Sequence, residues 1–234
     1  MPAPITFLCT TALKSTLDLM LQQFERASGI KVDVNYGPSA QLTNRIAGGE
    51  AADAVVLTGT GFDEMAALGK VDPSSRLPLV RSATMIGVKK GTPCPDISTV
   101  EKFKQAMLDA KSIAYSGPGA GASGAHAAKV MERLGIVAAI KRKTVLGPGG
   151  PAGLIGNYLV RGDAEIGIQQ DAELMSVPGV EIVGPLPAEL GLVTEFVFGA
   201  RTGVTNAAAA RALGEFLRAP ATLAMMKEKG LTPA

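Results

Sequence analysis

The chain has 234 residues, of which 47% are hydrophobic and 19% are charged, and its net charge is +2 at neutral pH. This composition favours a folded core and argues against a disordered chain, a collagen-like fibre or a nucleic-acid-binding surface. Two cysteines, Cys9 and Cys94, and one histidine, His126, are too few for a metal framework. We therefore expect neither a metal nor another cofactor, and free, buried thiols rather than a disulfide.

The amino-terminal segment has none of the features of an export signal. Met1–Pro4 carries no positively charged side chain, and the apolar run Ile5–Cys9 is too short for the core of a signal peptide. A run of about 18 apolar residues, which a membrane span requires, does not occur. Two alternatives stay open: a cytoplasmic protein that starts at Met1, or the mature form of an exported protein.

Short apolar runs alternate with amphipathic segments along the chain. Helix ends are marked by Ser28-Gly29, where glycine suits a left-handed cap, and by a capping box at Ser98–Glu101. The predicted strands are 5–9, 31–35, 53–57, 83–88, 112–115, 143–146, 165–168 and 194–198, and the predicted helices are 13–28, 41–47, 62–68, 98–110, 125–134, 154–160 and two that begin at Asn206 and Pro220. Such alternation predicts an α/β fold with a mostly parallel sheet and helices on both faces.

The glycine-rich stretch Ser116–Gly124 lies between a predicted strand and a predicted helix. Glycines let the backbone approach a ligand closely, and we expect Ser123 to cap the helix. The N–H groups of the first helical turn would then point at an anion. The alternative is an ordinary flexible surface loop.

Three more predicted loops are small, carry hydroxyls or glycines, and precede a helix. They are Thr10–Ala12, Tyr36–Ser39 and Gly147–Gly153. Ligand loops of parallel sheets lie at the carboxyl ends of the strands, so four such loops together favour a site that holds a small anion through neutral donors. Each loop taken singly is also compatible with a plain connection between a strand and a helix.

Several motifs together have a familiar order: Ile5-Thr-Phe-Leu8 with Leu13, Phe24–Val32, Tyr36-Gly-Pro-Ser39, Gly48–Asp53, Gly124 with Leu134-Gly135, and Gly167-Ile168 with Asp171-Ala172. In this order the chain resembles, over nearly its whole length, the molybdate-binding family of periplasmic solute-binding proteins. The resemblance implies a type II binding-protein fold with two lobes, two mixed sheets and a cleft that closes on an oxyanion. It also implies crossovers near Ser82-Ala83 and Leu192-Val193, so that residues 1–82 and 193–234 form lobe I and residues 83–192 form lobe II.

Some recognition positions of that family are retained in this chain. Ser39 matches a ligand-binding serine, and Ser123, followed by Gly124, matches a position whose backbone N–H faces the oxyanion. Ala152 and Gly153 match a loop that donates a backbone N–H. The resemblance therefore implies that these residues bind the ligand.

Other recognition positions have changed. Ala12 replaces the serine of the first loop, beside Thr10 and Thr11, and Gln169 and Gln170 replace a tyrosine. A buried polar group that loses its partner costs about 1–3 kcal/mol, so such changes indicate a ligand other than molybdate. Amides and hydroxyls suit a larger organic carboxylate.

Two cations lie within about one helical turn of a predicted ligand loop, namely Lys14 and Arg45. We expect either to pair with a carboxylate of the ligand. The alternative for each is a solvated position on a helix face.

His126 is the residue that could add a reaction to binding. It lies in the first turn of the helix after the central loop, where the positive end of the helix dipole favours a neutral imidazole that could act as a general base. Aconitate isomerase, an enzyme that resembles these binding proteins, is a precedent for proton transfer on this fold. The alternative for His126 is a simple hydrogen bond.

The resemblance thus leads to two functional hypotheses. The first is a monomeric binding protein that closes on a small oxyanion or carboxylate and passes it to the permease of an ABC transporter, which would place it in the periplasm. The second is an isomerase that moves a proton on an aconitate-type tricarboxylate, with His126 as the catalytic base.

Overall fold

A computed structural model describes residues 4–117, 119–204 and 206–234. The strands in these ranges are β1 (Ile5–Thr10), β2 (Val32–Gly37), β3 (Ala54–Thr58), β4 (Leu77–Lys89), β5 (Ile113–Ser116), β6 (Thr144–Gly147), β7 (Ile166–Gln170), β8 (Val180–Pro185), β9 (Val193–Ala200) and β10 (Thr232–Pro233). The α-helices are α1 (Lys14–Ser28), α2 (Ser39–Ala47), α3 (Gly59–Ala67), α4 (Val100–Asp109), α5 (Ala122–Arg133), α6 (Val137–Ile140), α7 (Ile155–Arg161), α8 (Asp171–Met175), α9 (Ala207–Arg218) and α10 (Pro220–Lys227). Pro118, within the predicted glycine-rich loop, lies outside the described residues.

The predicted α/β class is confirmed, and the chain divides into two compact units. Unit 1 contains the residues up to Ser82 together with Thr194–Ala234, and unit 2 contains Ala83–Val193. The strands β4 and β9 each include residues of both units. Among the described residues no helix is long and apolar enough to cross a lipid bilayer.

Unit 1 is built on parallel strands. β1 pairs in parallel with β2 on one side and with β3 on the other, and β9 runs antiparallel to β3. β10 pairs with the part of β4 that belongs to this unit. Thr10 lies opposite Gly37 in the register, so the carboxyl ends of β1 and β2 meet at one edge of the sheet.

Apolar side chains of strands and helices together form the interior of unit 1. One cluster consists of Leu8, Leu42, Ile46, Ala52, Val55, Leu57, Phe62, Met65, Val71 and Val197. The carboxyl-terminal helices join this unit, since the rings of Phe24 in α1 and Phe216 in α9 lie 5.4 Å apart. α1 ends at Gly29, whose φ of 72° provides the left-handed cap predicted from Ser28-Gly29.

Unit 2 has a mixed sheet. β5 pairs in parallel with β6 and with β7, whereas the end of β4 runs antiparallel to β7 and to β8. Ser116 lies opposite Gly147, and Tyr115 lies opposite Ile168. The carboxyl ends of β5, β6 and β7 therefore share one edge of this sheet.

Unit 2 has apolar clusters on both faces of its sheet. One includes Phe103 of α4 and Met131 of α5, and the other includes Ile155 and Leu159 of α7 and Leu174 of α8. Because helices cover both faces, the central strands β5 and β7 are buried along their whole length.

The structure corrects several details of the sequence analysis. α5 has Gly121 as its N-cap, so Ser123 lies inside the first turn instead of capping it. α4 is capped by Thr99, whose Oγ1 accepts from the Lys102 N–H, one residue after the predicted box. Both cysteines are free, but Cys94 is exposed rather than buried. β8 and α8 had not been predicted.

Candidate functional site

Unit 1 places hydroxyl-bearing residues directly after the carboxyl ends of its parallel strands. Thr10 is the last residue of β1, Thr11 begins the short 3-10 helix that follows it, and Ser39 is the first residue of α2. Thr10, Thr11 and Ser39 are all more than 90% buried. The sheet register thus brings together the first two predicted loops at one edge.

Two of these hydroxyls lack hydrogen-bond partners. Among the described residues, none bonds to the buried Oγ1 of Thr11 or to the buried Oγ of Ser39. Native proteins pair nearly all buried polar atoms, because an unpaired one costs free energy. The first N–H groups of an α-helix have no helical partner, and Pro38, the N-cap of α2, supplies no side-chain cap for them. Unit 1 therefore offers unused donors in a buried position that suits an anion.

Ala12 is buried beside these threonines and contributes no hydroxyl. Lys14 starts α1, forms a 2.5 Å ion pair with Asp18, and lies 4.6 Å from the ring centroid of Tyr36. Burial raises the pKa of the Tyr36 phenol well above its usual range, so that it stays protonated. The cation of Lys14 is held close to the predicted loop Tyr36–Ser39 by a partly exposed ion pair.

Arg45 reaches the same loop but its donors are engaged. Its Nη1 lies 3.9 Å from the position that a Cβ of Gly37 would occupy, and it donates to Asn35 Oδ1 at 2.9 Å. Its Nε and Nη2 donate to the two oxygens of Glu50 at 2.6 and 2.5 Å. The hydrogen bond to Glu50 raises the pKa of the guanidinium. A ligand would have to compete with a bidentate carboxylate for this side chain.

In unit 2 the two glycine-rich loops contact each other. The Gly117 N–H donates to Gly147 O at 2.9 Å, and a Cβ on Gly149 would lie 2.1 Å from Ala120 O. Gly149 also has a φ of +72°, a conformation that favours glycine. Glycine is required at position 149 because no side chain fits between the two loops.

The start of α5 packs against the first of these loops without room for a side chain. A Cβ on Gly124 would lie 2.1 Å from Ser116 O, and Ser123 is 4% exposed. The first N–H groups of a helix have no helical partner, and within the described residues no side chain caps the start of this 12-residue helix. These donors are at the position where the family resemblance predicts contact with an oxyanion.

The second glycine-rich loop of unit 2, Gly147–Gly153, contains both buried and exposed residues. Gly153 is buried but its N–H donates to Gly150 O at 3.0 Å, whereas Ala152 is exposed. Gln169 and Gln170 end β7 at the same edge of the sheet and are 1% and 3% exposed. The Oε1 of Gln169 accepts from the Ile155 N–H at 2.7 Å, which joins β7 to the residues just after this loop.

His126 lies in α5 and is half-buried. Its Nε2 is 2.7 Å from Leu190 O. A carbonyl oxygen only accepts, so Nε2 must carry the proton, and in the neutral imidazole the lone pair then lies on Nδ1. Arg133 of the same helix donates to Glu189 O at 2.7 Å, so the helix is fixed to residues 188–190 at two points.

Two residues at these strand ends were missed by the sequence analysis. Thr58 ends β3, and its Oγ1 accepts from the Gly61 N–H at 3.1 Å; the run Thr58-Gly-Thr-Gly61 after an apolar strand was the available signal. Glu173 lies in the first turn of α8. Burial raises the pKa of its carboxyl to about 7, although a hydrogen bond from the backbone of Gln170 opposes this. The sequence around Glu173, an acidic residue two positions after Asp171, did not indicate that this carboxyl is buried.

A cavity of about 690 Å³ lies at the other edge of the unit 2 sheet. Its lining includes Lys89, Cys94, Leu159 and Ile166 and none of the predicted site residues. β7 begins at Ile166, so this cavity is at the amino end of the strand. Among its rim charges, Lys102 is paired with Asp96 at 2.7 Å.

Comparisons with known proteins identify the family and agree with the fold. Residues 5–232 match the family model described as bacterial extracellular solute-binding protein. Aconitate isomerase from Pseudomonas sp. is 32% identical, over 98% of this chain and 87% of that enzyme. The Azotobacter vinelandii periplasmic molybdate-binding protein has a TM-score of 0.79 at 18% identity, over 97% of this chain and 98% of its own. The sulfate-binding protein SubI from Mycobacterium tuberculosis has a TM-score of 0.80 at 17% identity, over 100% of this chain and 88% of its own.

Proposed function

The chain belongs to the bacterial extracellular solute-binding protein family, and on that basis we propose that it binds a small organic polycarboxylate of the aconitate type. The observation that carries this proposal is the pair of buried hydroxyls, Thr11 Oγ1 and Ser39 Oγ, that have no partner among the described residues. Carboxylate oxygens are acceptors without donors, and each could satisfy one of these groups.

The choice of an organic acid over an inorganic oxyanion rests on two further facts. The 32% identity to aconitate isomerase extends over almost the whole chain. In addition, Ala12, Gln169 and Gln170 stand where the molybdate-type motif has other residues, which changes the donor set. Lys14 adds a cation whose exposed ion pair with Asp18 is weak enough to yield to a carboxylate.

The ligand class can be tested by thermal unfolding with a panel of anions. We expect cis-aconitate, trans-aconitate or citrate to raise the unfolding temperature, because a ligand at 100 times its Kd adds about 2.7 kcal/mol of stability. Molybdate and sulfate serve as the inorganic controls. Stabilisation by these two oxyanions with no effect of the acids would refute the proposed class.

As a second candidate function, we propose that the protein also isomerises its ligand by a 1,3-proton shift. The specific observation is the bond from His126 Nε2 to Leu190 O, which leaves Nδ1 as the basic atom. In this reaction Nδ1 removes a proton from the CH2 carbon of aconitate, and the charge spreads over the adjacent alkene and carboxylate. The imidazolium then returns a proton to the former alkene carbon, and the double bond moves by one position.

Deuterium exchange separates an isomerase from a pure binding protein. In D2O, we expect NMR to show deuterium entering cis- or trans-aconitate with the wild-type protein. His126→Asn keeps a hydrogen-bonding side chain but has no base, so turnover should fall by about 10²-fold or more while affinity persists.

A wild-type protein that binds these acids without exchange above the buffer rate would refute the proton shift. The remaining function would then be capture of the acid for a membrane transporter. That role predicts that the ligand is released unchanged, which the same NMR spectra would show.

A further inference from the structure

Thr84 in β4 carries a buried hydroxyl that has no hydrogen-bond partner. The residue is 1% exposed, and among the described residues none bonds to its Oγ1. Its backbone N–H is engaged, since it donates to Leu192 O at 2.9 Å. A threonine in a strand cannot bond to the carbonyl of a preceding helical turn, as a helical threonine can. A partner for this hydroxyl must therefore come from outside the strand.

Thr84 lies at the edge of the unit 2 sheet where the parallel strands end. β4 runs antiparallel to β7, and Thr84 is opposite Gln170, the last residue of β7. Side chains of a strand alternate between faces, so Thr84 shares a face with Ile86, which belongs to the same apolar cluster as Met131 of α5. The hydroxyl is thus on the face that α5 covers, at the edge where α5 begins.

Buried side-chain atoms without a partner are concentrated at such edges. Across the described residues, these atoms belong to Thr11, Tyr36, Ser39, Thr84, Thr16 and Arg201. The first three residues lie at or next to the carboxyl ends of β1 and β2 in unit 1. Within the described part of unit 2, Thr84 is the only such residue. Native proteins pair nearly all buried polar atoms, so an exception at this edge indicates a partner that binds there.

The segment Leu190–Leu192 connects Thr84 to the proposed base. Leu192 O accepts from the Thr84 N–H, and Leu190 O accepts from His126 Nε2 at 2.7 Å. Both residues are therefore fixed to the same three-residue segment of unit 2. A ligand group held by Thr84 would lie on the face of the sheet to which α5 and His126 belong.

We propose that the Thr84 hydroxyl donates to a carboxylate oxygen of the bound acid and contributes to specificity for a carboxylate. This inference rests on the proposed ligand class, and it adds a residue that none of the four predicted loops contains. A carboxylate oxygen only accepts, so the hydroxyl is the donor. A hydrogen bond to a charged oxygen is about twice as strong as one to a neutral oxygen, so an ester at this position would bind more weakly.

Three variants separate the hydroxyl from the packing around it. Thr84→Val has nearly the same shape but no hydroxyl, and Thr84→Ser keeps the hydroxyl and loses the methyl group. Ile86→Val is the matched control, because it removes one carbon from the same face of the same strand and no polar atom. It should lower the stability without a change in affinity.

The experiment is calorimetric titration of each variant with cis-aconitate, together with urea unfolding. We expect Thr84→Val to bind about tenfold or more weakly, as for the loss of a hydrogen bond to a charged group. Its urea midpoint should equal or exceed that of the wild type, because an unpaired hydroxyl leaves the interior. Thr84→Ser should bind nearly as well as the wild type. Wild-type affinity of Thr84→Val would overturn the inference, and so would a serine variant as weak as the valine variant.

A saturated analogue tests which part of the ligand Thr84 contacts. Propane-1,2,3-tricarboxylate has the three carboxylates of aconitate but no double bond, so Thr84→Val should lose affinity for both acids by the same factor. A loss confined to aconitate would overturn donation to a carboxylate.

NMR of the unsubstituted protein covers the case in which the variants fold poorly. The methyl signal of Thr84, assigned in the wild type by triple-resonance spectra, should shift on saturation with cis-aconitate, and an unchanged signal would overturn the inference. Failure of the wild type to bind any of the acids would instead refute the ligand class. Binding by the wild type with equal affinity in Thr84→Val would refute the role of Thr84 alone.

Discussion

Replacement of Gly124 by alanine tests whether the glycine-rich loop of unit 2 is packed as tightly as the structure indicates. The added Cβ would lie 2.1 Å from Ser116 O, 2.7 Å from Ser116 C and 2.9 Å from Gly117 O. All three are backbone atoms, so no side-chain rotation can relieve the contact. The start of α5 and the end of β5 would have to separate by about 1 Å or more to restore ordinary contact distances.

The expected loss of stability follows from two opposing effects. Overpacking of a rigid site costs about 1–3 kcal/mol, and a contact this short with backbone belongs at the upper end. Alanine in a helix gains up to about 1 kcal/mol over glycine. We therefore expect Gly124→Ala to lower the free energy of unfolding by about 2 kcal/mol.

The assay is urea unfolding followed by circular dichroism. Gly119→Ala is the matched control for stability, because a Cβ at this position of the same loop has no atom within 4 Å. Equal unfolding midpoints for the two variants would show that the loop yields to the added methyl group, and would refute the tight packing of this loop against Gly124.

Three more substitutions test the buried polar groups. Ser39→Ala should weaken binding of cis-aconitate by roughly 1–2 kcal/mol in calorimetry without loss of stability, since Ser39 Oγ has no partner within the described ranges. Thr11→Val should likewise weaken binding yet raise the free energy of unfolding by about 1 kcal/mol, because an unpaired hydroxyl leaves the interior; unchanged affinity would remove Thr11 from the site. Burial raises the pKa of Glu173 from 4.5 to about 7, so its protonated form stabilises the fold at low pH, and this contribution is lost as pH rises through about 7. The stability of the wild type relative to Glu173→Gln should therefore fall between pH 4.5 and pH 7 in urea unfolding, and parallel pH profiles of the two proteins would contradict the assignment.

The elements of the fold were predictable wherever a local pattern decided them. Leu13, Leu17, Leu21 and Phe24 recur at helical spacing, and all four are buried in the structure. Errors arose where the deciding contact is distant in sequence. β8 has a half-exposed pattern and depends on pairing with β4, nearly a hundred residues earlier in the chain.

The positions of the candidate loops in the fold were predictable, but the hydrogen-bond partners of their side chains were not. The strand–loop–helix order places Ser39 and Ser123 at the carboxyl ends of their sheets. Local sequence does not reveal that the Arg45 guanidinium donates to Glu50, or that the oxygen of Gln169 accepts from the Ile155 N–H. These partners compete with a ligand for the same groups, so a residue type alone does not tell which of its atoms remain available.

Binding and proton transfer make different demands on the same kind of site, and under the proposed function unit 2 supplies groups for both. Neutral donors at the start of α5 suit a bound carboxylate, and they would also stabilise the additional charge that a carboxylate gains when the neighbouring carbon loses a proton. Donors of this kind are therefore compatible with a binding protein and with an isomerase. What differs is the need for a base, and the base proposed here is His126, one turn along α5 from Ser123, whose bond from Nε2 to Leu190 O leaves the lone pair of a neutral imidazole on Nδ1. Affinity for aconitate would thus identify the ligand, whereas proton exchange identifies the reaction.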